Sequence, residues 1–231
     1  MKFKIKNMKR IILAVLVTLS AAWLTAQNPI INNCPEQVKD YDGNTYNVVR
    51  IGNLCWMKEN LRTTCYSDGE KVDFERTGRS VTGYLYTWNV AKGKERGKYG
   101  ICPDGWYLPS DWEWQQMEID AYAVDRPSAN KMGARGFCAV RLCDKKGWET
   151  ASYYRYGAGN SNSSECNQTG FSAVPSGKIG AYESSRYANF WTSTEFNKND
   201  ALIRQLYYYS PYVYRKKEKK DNVYSVRCVQ L

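Results

Sequence analysis

Residues 108–113 (Leu-Pro-Ser-Asp-Trp-Glu) carry the clearest local structural signal in the chain. The hydroxyl of Ser110 can accept a hydrogen bond from the amide of Glu113, whose carboxylate can reach back to the amide of Ser110. This arrangement is a capping box, which marks the start of a helix. Apolar side chains follow at helical spacing, at Trp114, Met117 and Ala121. The pattern predicts a helix over residues 111–122 that turns this face toward a core.

The segments on either side of this helix favour strands. Residues 45–51 are rich in β-forming side chains, and Gly52-Asn53 turns them into a second strand at residues 54–56. Residues 81–90 fit either a strand or a helix, and a second helix is predicted at residues 128–132, ending at Gly133. Further strands are predicted at residues 170–175, 190–194, 201–209, 212–216 and 224–229. Helices segregated from an antiparallel sheet predict an α+β fold.

The amino-terminal residues have the pattern of an export signal. Lys and Arg at positions 2, 4, 6, 9 and 10 precede an apolar run over residues 11–19 and small residues up to Ala26. The run is shorter than the roughly 20 apolar residues that span a bilayer, although an uncleaved anchor is the alternative. We predict a signal peptide over residues 1–26, no stable membrane span after its cleavage, a short extension over 27–39 and one domain over 40–231.

The cysteines predict a disulfide-stapled scaffold. Eight cysteines follow the predicted leader, and the chain has no histidine. In an exported protein an even number of cysteines indicates disulfides, here up to four. Zinc sites need closely paired ligands, whereas the nearest pair, Cys138 and Cys143, is separated by four residues. The lack of histidine also excludes imidazole acid–base catalysis.

The charge of the chain argues against nucleic acid as a partner. The full sequence has a net charge of +10, but five of its 33 Lys and Arg residues lie in the predicted leader, which leaves +5 afterwards. The one dense basic run, residues 215–220 (Arg-Lys-Lys-Glu-Lys-Lys), is predicted to be a solvated hairpin tip.

Five ordered blocks of sequence resemble the Fibrobacter succinogenes major paralogous domain family. The first comprises Asp-Gly-Asn-Thr-Tyr at residues 42–46 and Ile-Gly-Asn-Leu-Cys-Trp-Met-Lys-Glu-Asn-Leu at 51–61. The others are Cys-Pro-Asp-Gly-Trp-Tyr-Leu-Pro-Ser at 102–110, Gly-Phe-Ser-Ala-Val-Pro-Ser-Gly at 170–177, Phe-Trp-Thr-Ser-Thr-Glu at 190–195 and Ser-Val-Arg-Cys-Val at 225–229. The resemblance implies a divergent C-type-lectin-like fold with two helices and antiparallel strands. It also implies an exported or surface protein, mainly of the Bacteroidetes and Fibrobacteres.

The same resemblance implies a disulfide framework. Cys102 and Cys228 match the long-range bridge of lectin-like folds, while Cys34 and Cys55 bracket the first hairpin and are expected to pair. Three pairings stay open for the remaining cysteines, which are Cys65, Cys138, Cys143 and Cys166.

Two sets of acidic positions bear on calcium and on glycosidase chemistry. Asp40, Asp42 and Asn44 alternate as at the start of a calcium loop, but Ile51 stands where a bidentate glutamate is needed. A simple turn is therefore favoured, and no cofactor is predicted, with calcium as the open alternative. Acids also cluster on the predicted helix, at Asp111, Glu113, Glu118 and Asp120. They fit a capped helix better than the two opposed carboxylates of a glycosidase.

Tyrosines supply the best candidate surface for a ligand. Alternate side chains of a strand point to opposite faces, so some of the tyrosines around Ser210-Pro211 are expected outside the core. By the resemblance, residues 191–195 occupy the place of the sugar-binding motifs of C-type lectins. The predicted ligand-binding residues are Trp191, Glu195, Tyr207, Tyr209, Tyr212 and Tyr214.

These features predict an exported, non-catalytic ligand-binding or adhesion module whose partner is a glycan or a surface protein. Its location would be the periplasm, the cell surface or the medium. The alternative is a structural subunit of a surface assembly, such as a pilus tip or envelope component. A third hypothesis is a glycan-active enzyme that works through carboxylates such as Glu195.

Overall fold

The computed structural model of the chain describes residues 34–73, 78–80, 82–93, 100–151, 153, 155–177 and 185–231. The predicted signal peptide and residues 27–33 lie outside the described residues. Residues 34–231 form one compact unit. Within the described ranges, no helix combines the length and the apolar character that crossing a lipid bilayer requires.

The described segments are mostly antiparallel strands with two α-helices. The strands are β1 (Gln37–Lys39), β2 (Thr45–Ile51), β3 (Leu54–Met57), β4 (Gly78–Ser80), β5 (Gly83–Thr87), β6 (Gly133–Arg135), β7 (Tyr187–Glu195), β8 (Asp200–Tyr207), β9 (Val213–Lys219), β10 (Val223–Tyr224) and β11 (Val229–Gln230). The helices are α1 (Trp88–Lys92) and α2 (Asp111–Asp120), with 3₁₀ turns at Arg126–Ser128 and Ala139–Leu142. The strand orders of the three sheets are β1-β2-β3-β11, β10-β5-β4 and β6-β9-β8-β7. This confirms the α+β class.

The first hairpin and the long helix form as the sequence predicts. β2 pairs with β3 across Gly52-Asn53, and Gly52 takes the positive φ of 61° that a tight hairpin turn requires. α2 begins with a complete capping box between Ser110 and Glu113. Residues 81–90, left open between strand and helix, contain both, because β5 leads directly into α1.

The core consists of two apolar clusters, one of them built on aromatic rings packed edge to face. In the first, the ring of Trp114 on α2 meets that of Trp56 on β3 at 5.0 Å and that of Phe171 at 5.6 Å. The second cluster includes Tyr86 and Trp191. Edge-to-face contacts stabilise such rings beyond the burial of their area, so α2 is fixed firmly against β3.

Two disulfides form, and they are the two that the resemblance implies. Cys34 bonds to Cys55 and Cys102 bonds to Cys228. On a chain-entropy model these bridges are worth roughly 3 and 5 kcal/mol, because the second closes a much longer loop. The structure thus holds two of the up to four bridges expected, and none of the three pairings left open forms, since the remaining four cysteines are free thiols: Cys65, Cys138, Cys143 and Cys166.

The predicted helix at residues 128–132 is wrong. A single 3₁₀ turn, Arg126–Ser128, has Pro127 at its second position and is capped by the carboxylate of Asp125. The carbonyl of Ala129, which could have served a longer helix, accepts instead from the guanidinium of Arg135. β6 then begins at Gly133. The contact from Arg135 therefore overrides the helical preference of residues 128–132.

Two predicted strands are also corrected. Residues 170–175 form no regular strand, because Gly170 and Ser172 have positive φ values of 71° and 54°. Residues 224–229 divide between β10 and β11, which belong to different sheets. The link between these strands holds Arg227, whose fully buried guanidinium donates to the carbonyls of Met57, Phe171 and Ser172. The buried side chain of Arg227 thus ties the link between β10 and β11 to three neighbouring backbone carbonyls.

A buried arginine–carboxylate network (Asp111, Glu118, Arg135, Arg204 and Arg215) joins α2 to the sheet of β6, β9 and β8. Arg204 lies between the two acids, with Nε 2.6 Å from Glu118 and Nη1 2.8 Å from Asp111. Arg215 holds Asp111 through two bonds of 2.8 Å, and Arg135 is 2.8 Å from Glu118. The basic run therefore begins on β9 and not at a hairpin tip, and Arg215 is paired rather than solvated.

Candidate ligand-binding surface

The structure separates two of the predicted ligand-binding residues from the tyrosines. Trp191 is wholly buried, and its indole N–H donates to the carbonyl of Tyr86 at 2.7 Å, so it is not part of an exposed surface. Glu195 is exposed at the far end of β7. It pairs with Ala201, six residues along β8 from Tyr207, which places it about 20 Å from the tyrosines.

The carboxylate of Glu195 is engaged in an ion pair. Its Oε1 lies 2.8 Å from Nζ of Lys220, and this hydrogen bond holds the pKa of Glu195 below its usual value. Because the group stays ionised and paired, it has the character of a surface salt bridge at the end of the sheet.

The hairpin between β8 and β9 brings the four predicted tyrosines to one end of the sheet, in two groups. The tyrosine row contains Tyr153, Tyr187, Tyr207, Tyr208 and Tyr209. Within this row, Tyr207 stacks on Tyr187 at 4.6 Å and Tyr209 on Tyr153 at 6.0 Å. The aromatic corner contains Phe137, Tyr156, Tyr212 and Tyr214.

One member of the aromatic corner, Phe137, was missed by the sequence analysis. Phe137 is 55% exposed, and its ring centroid lies 5.9 Å from those of Tyr156 and Tyr212. The segments meet through backbone bonds, from the amide of Ala139 to the carbonyl of Pro211 and from that of Val140 to the carbonyl of Tyr156. Phe137 lies in irregular chain, so no periodic pattern marks it.

A cavity of about 500 Å³ opens beside the aromatic corner and is called here the main cavity. Its lining combines rings, charged groups and one thiol: Tyr122, Ala123, Asp125, Gly136, Phe137, Cys138, Arg141, Tyr156 and Glu165. A second cavity of about 310 Å³ shares Tyr122 and Arg141 with it. Its other lining residues include Arg50, Asp120 and Thr169.

Two charged side chains of the main cavity are paired with each other, and its thiol is protonated. Arg141 contacts one carboxylate oxygen of Glu165 through Nε at 2.7 Å and Nη2 at 2.6 Å. Burial raises the pKa of the Cys138 thiol, so it is protonated at neutral pH. The thiolate is the reactive form of cysteine, so the thiol in this setting is a weak nucleophile.

Tyr122 has an unusual backbone conformation at the carboxyl end of α2. Its φ is 53°, in the left-handed region. The amide of Tyr122 donates to Ile119, and that of Ala123 donates to Glu118, which together form a Schellman motif. Glycine usually takes this position, because a Cβ there costs roughly 1–2 kcal/mol. The ring of Tyr122 is 78% exposed, so burial does not offset that cost.

The acids singled out as alternatives have structural partners. Asp40 accepts from the amide of Asn44 at 2.9 Å, which makes the predicted turn. Asp42 accepts from the amide of Thr64 and from the thiol of Cys65. Across the described residues, no group of three or more Cys, Asp or Glu side chains has the arrangement to hold a metal ion.

A comparison with protein families identifies the chain. The family model described as the Fibrobacter succinogenes major domain matches residues 49–230, which include the main cavity, both groups of tyrosines and the Cys102–Cys228 bridge. The chain belongs to this family. Searches of curated proteins and of solved structures found no match. In this Fibrobacter succinogenes major domain, the aromatic corner and the main cavity are therefore interpreted from their own geometry.

Proposed function

We propose that this protein is an exported, non-catalytic binding or adhesion module that recognises a glycan or a surface protein. Recognition would take place at the aromatic corner and the main cavity. The observation that carries the proposal is the contiguous group of Phe137, Tyr156 and Tyr212 beside that cavity, in which Phe137 and Tyr212 are exposed and Tyr156 is half-buried. Monomeric proteins rarely leave a large apolar patch uncovered unless it binds something.

The chemistry of these rings suits recognition. Tyrosine offers a flat apolar face and a hydroxyl that can donate or accept, which fits both sugar rings and protein surfaces. The rings sit on a firm base, because β8 and β9 pair continuously from Leu206–Val213 to Asp200–Lys219. A rigid site loses less conformational entropy when a ligand binds.

Export and a lectin-like fold belong to the same proposal. The leader pattern at residues 1–26 supports export, as do two disulfides, which persist in oxidising compartments. The bridge from Cys102, ahead of α2, to Cys228, beside the last strand, supports a divergent C-type-lectin-like arrangement. Fractionation of the native host should find the protein outside the cytoplasm, with Cys102 and Cys228 oxidised.

The binding proposal is tested with the chain from Gln27 onward on a glycan array and against envelope extracts. Replacing both Phe137 and Tyr212 by alanine should weaken any specific binding at least tenfold, because both rings leave the aromatic corner. Phe196→Ala is the matched control. It removes an equally exposed ring (47%) at the turn on the opposite end of the sheet, so binding should be unchanged.

Loss of binding in the control alone would contradict the assignment of the surface. A chain that binds no probe and co-purifies with envelope components, whether or not the aromatic corner is intact, would instead support the structural-subunit hypothesis. Hydrolysis of a glycan that is lost on Glu195→Gln would support an enzyme.

A further inference from the structure

The walls of the main cavity are fixed by direct backbone contact. A Cβ on Gly136 would fall 2.0 Å from the carbonyl oxygen of Ala123, so only glycine allows this approach. The amide of Phe137 donates to the same carbonyl at 3.3 Å. The ring of Phe137 is therefore held next to the segment that carries Tyr122, and the cavity between them is formed before any ligand arrives.

Tyr122 points to a ligand at this cavity. It occupies the glycine position of a Schellman motif, it lines both cavities, and its ring is left mostly in water. A residue held in an unfavourable conformation without burial contributes little to folding. The cost of the left-handed conformation at Tyr122 is explained if its ring contacts a bound molecule.

The charges around the cavities are balanced, which restricts the chemistry of that molecule. The two linings contain three carboxylates and two guanidinium groups, from Arg50, Asp120, Asp125, Arg141 and Glu165. A third guanidinium, that of Arg155, lies 5.3 Å from the ring centroid of Tyr156, and Arg141 lies 5.7 Å from that of Tyr122. A cationic ligand would be repelled by the guanidinium groups next to the rings, and an anionic ligand would be repelled by the carboxylates. An uncharged ligand with many hydroxyl groups avoids both kinds of repulsion and can still form hydrogen bonds with these groups.

We propose that the main cavity and its neighbour bind a short, uncharged oligosaccharide. The rings of Tyr122 and Phe137 cover apolar faces of the sugar, while Arg141 donates to sugar hydroxyls and Glu165 accepts from them. The combined cavities, about 500 and 310 Å³, have the size of small-molecule sites. This inference rests on the proposed function and assigns its ligand class and the residues that select it.

The test measures binding of the chain from Gln27 by calorimetry. The probes are neutral oligomers of glucose, mannose and galactose, acidic oligomers of galacturonic acid, and cationic oligomers of glucosamine. At least one neutral series should bind, at least tenfold more tightly than either charged series. Tyr122→Gly should weaken that binding tenfold or more while the thermal midpoint of the fold stays the same or rises, because glycine suits the backbone at this position. Glu165→Gln should weaken binding of the neutral oligosaccharides. It should also reduce the ratio of the affinity for neutral oligomers to the affinity for acidic oligomers.

Tyr153→Ala is the control, since Tyr153 is equally exposed (76%) but belongs to the tyrosine row outside both cavities. Unchanged binding in Tyr122→Gly with weakened binding in Tyr153→Ala would overturn the cavity assignment and leave the proposed function standing. Tighter binding of a charged series would overturn the ligand class. If no oligosaccharide binds but Phe137→Ala releases a captured surface protein, this inference fails alone; if neither binds, the proposed function fails with it.

Discussion

Two regions around α2 place their side chains in opposite ways. Along the helix, from Asp111 in its first turn to Glu118 in its last, the arginine–carboxylate network buries charges, and both acids are covered and paired with Arg204. Just beyond the carboxyl end of the helix, the ring of Tyr122 stays exposed, and Tyr122 holds a backbone conformation that favours glycine. Buried polar groups and exposed apolar ones are the informative departures from ordinary burial. The difference teaches that the residues that stabilise the fold are separate from those of the proposed binding surface, so substitutions should separate stability from binding.

The largest effect is expected from Glu118→Gln in the network. The change leaves the buried guanidinium groups of Arg135 and Arg204 short of a counter-charge, and breaking a buried pair costs about 3–5 kcal/mol. Urea unfolding should show this loss. Glu149→Gln breaks the exposed pair with Arg186 and should cost much less, because solvent screens this pair. Equal losses in the two variants would contradict the assignment of stability to the buried network.

The next effect is a pH dependence that arises from Asp111. Burial alone raises its pKa, but hydrogen bonds and charges from Arg215 and Arg204 outweigh burial and lower the pKa from 3.8 to about 2. The folded state therefore binds fewer protons than the unfolded state in this window. A contribution of roughly 2 kcal/mol is fully present above about pH 4 and is lost as the pH falls through 2. The midpoint of urea unfolding should fall as the pH is lowered from 5 to 2, and it should fall less steeply in Asp111→Asn than in the unsubstituted protein.

A smaller effect, of opposite sign, is expected at Tyr122, just beyond the carboxyl end of the helix. Tyr122→Gly should raise the free energy of unfolding by up to about 1 kcal/mol, because it relieves the left-handed conformation, although glycine also loses more backbone entropy on folding. Tyr122→Ala removes the same ring but keeps the Cβ, so it should show no gain. A destabilised Tyr122→Gly would mean that this ring stabilises the fold after all.

The smallest effect is expected at the hairpin. Tyr212→Ala removes a ring that is 37% exposed, and the free energy of unfolding should change by less than about 1 kcal/mol. If Tyr212→Ala lowered the free energy of unfolding as much as Glu118→Gln, the aromatic corner would be part of what stabilises the fold rather than part of the proposed binding surface. Thermal unfolding, measured beside binding, distinguishes these outcomes.

Local signals explain what could be predicted from the sequence. The capping box of α2 and the turn at Gly52-Asn53 depend on residues a few positions apart, so their patterns are visible in the chain itself. Ordered family motifs supplied the two disulfide pairings, which no spacing rule would have chosen among eight cysteines.

What was missed depends on contacts distant in sequence. Arg204 and Arg215 contact Asp111 although they are 93 and 104 residues away from it in the sequence, and no periodic pattern predicts such pairs. Trp191 was misplaced because both faces of the middle of β7 are buried, from Ala188 to Thr192, so alternation gives no exposed face there. The main cavity is lined mostly by irregular segments. Positive φ values at Tyr122 and Gly136 mark the site, and φ at Tyr122 is not readable from sequence.

The two disulfides set the path that tension would take through the domain. A pull applied at Cys34 and at the carboxyl end would run from Cys34 through its bond to Cys55, along the backbone to Cys102, and across to Cys228. Residues 103–227 are bypassed by this covalent route, and they contain α2, the main cavity and every tyrosine of the hairpin. Stretching can extend the segment between Cys55 and Cys102 while the proposed binding surface carries no load along its own backbone.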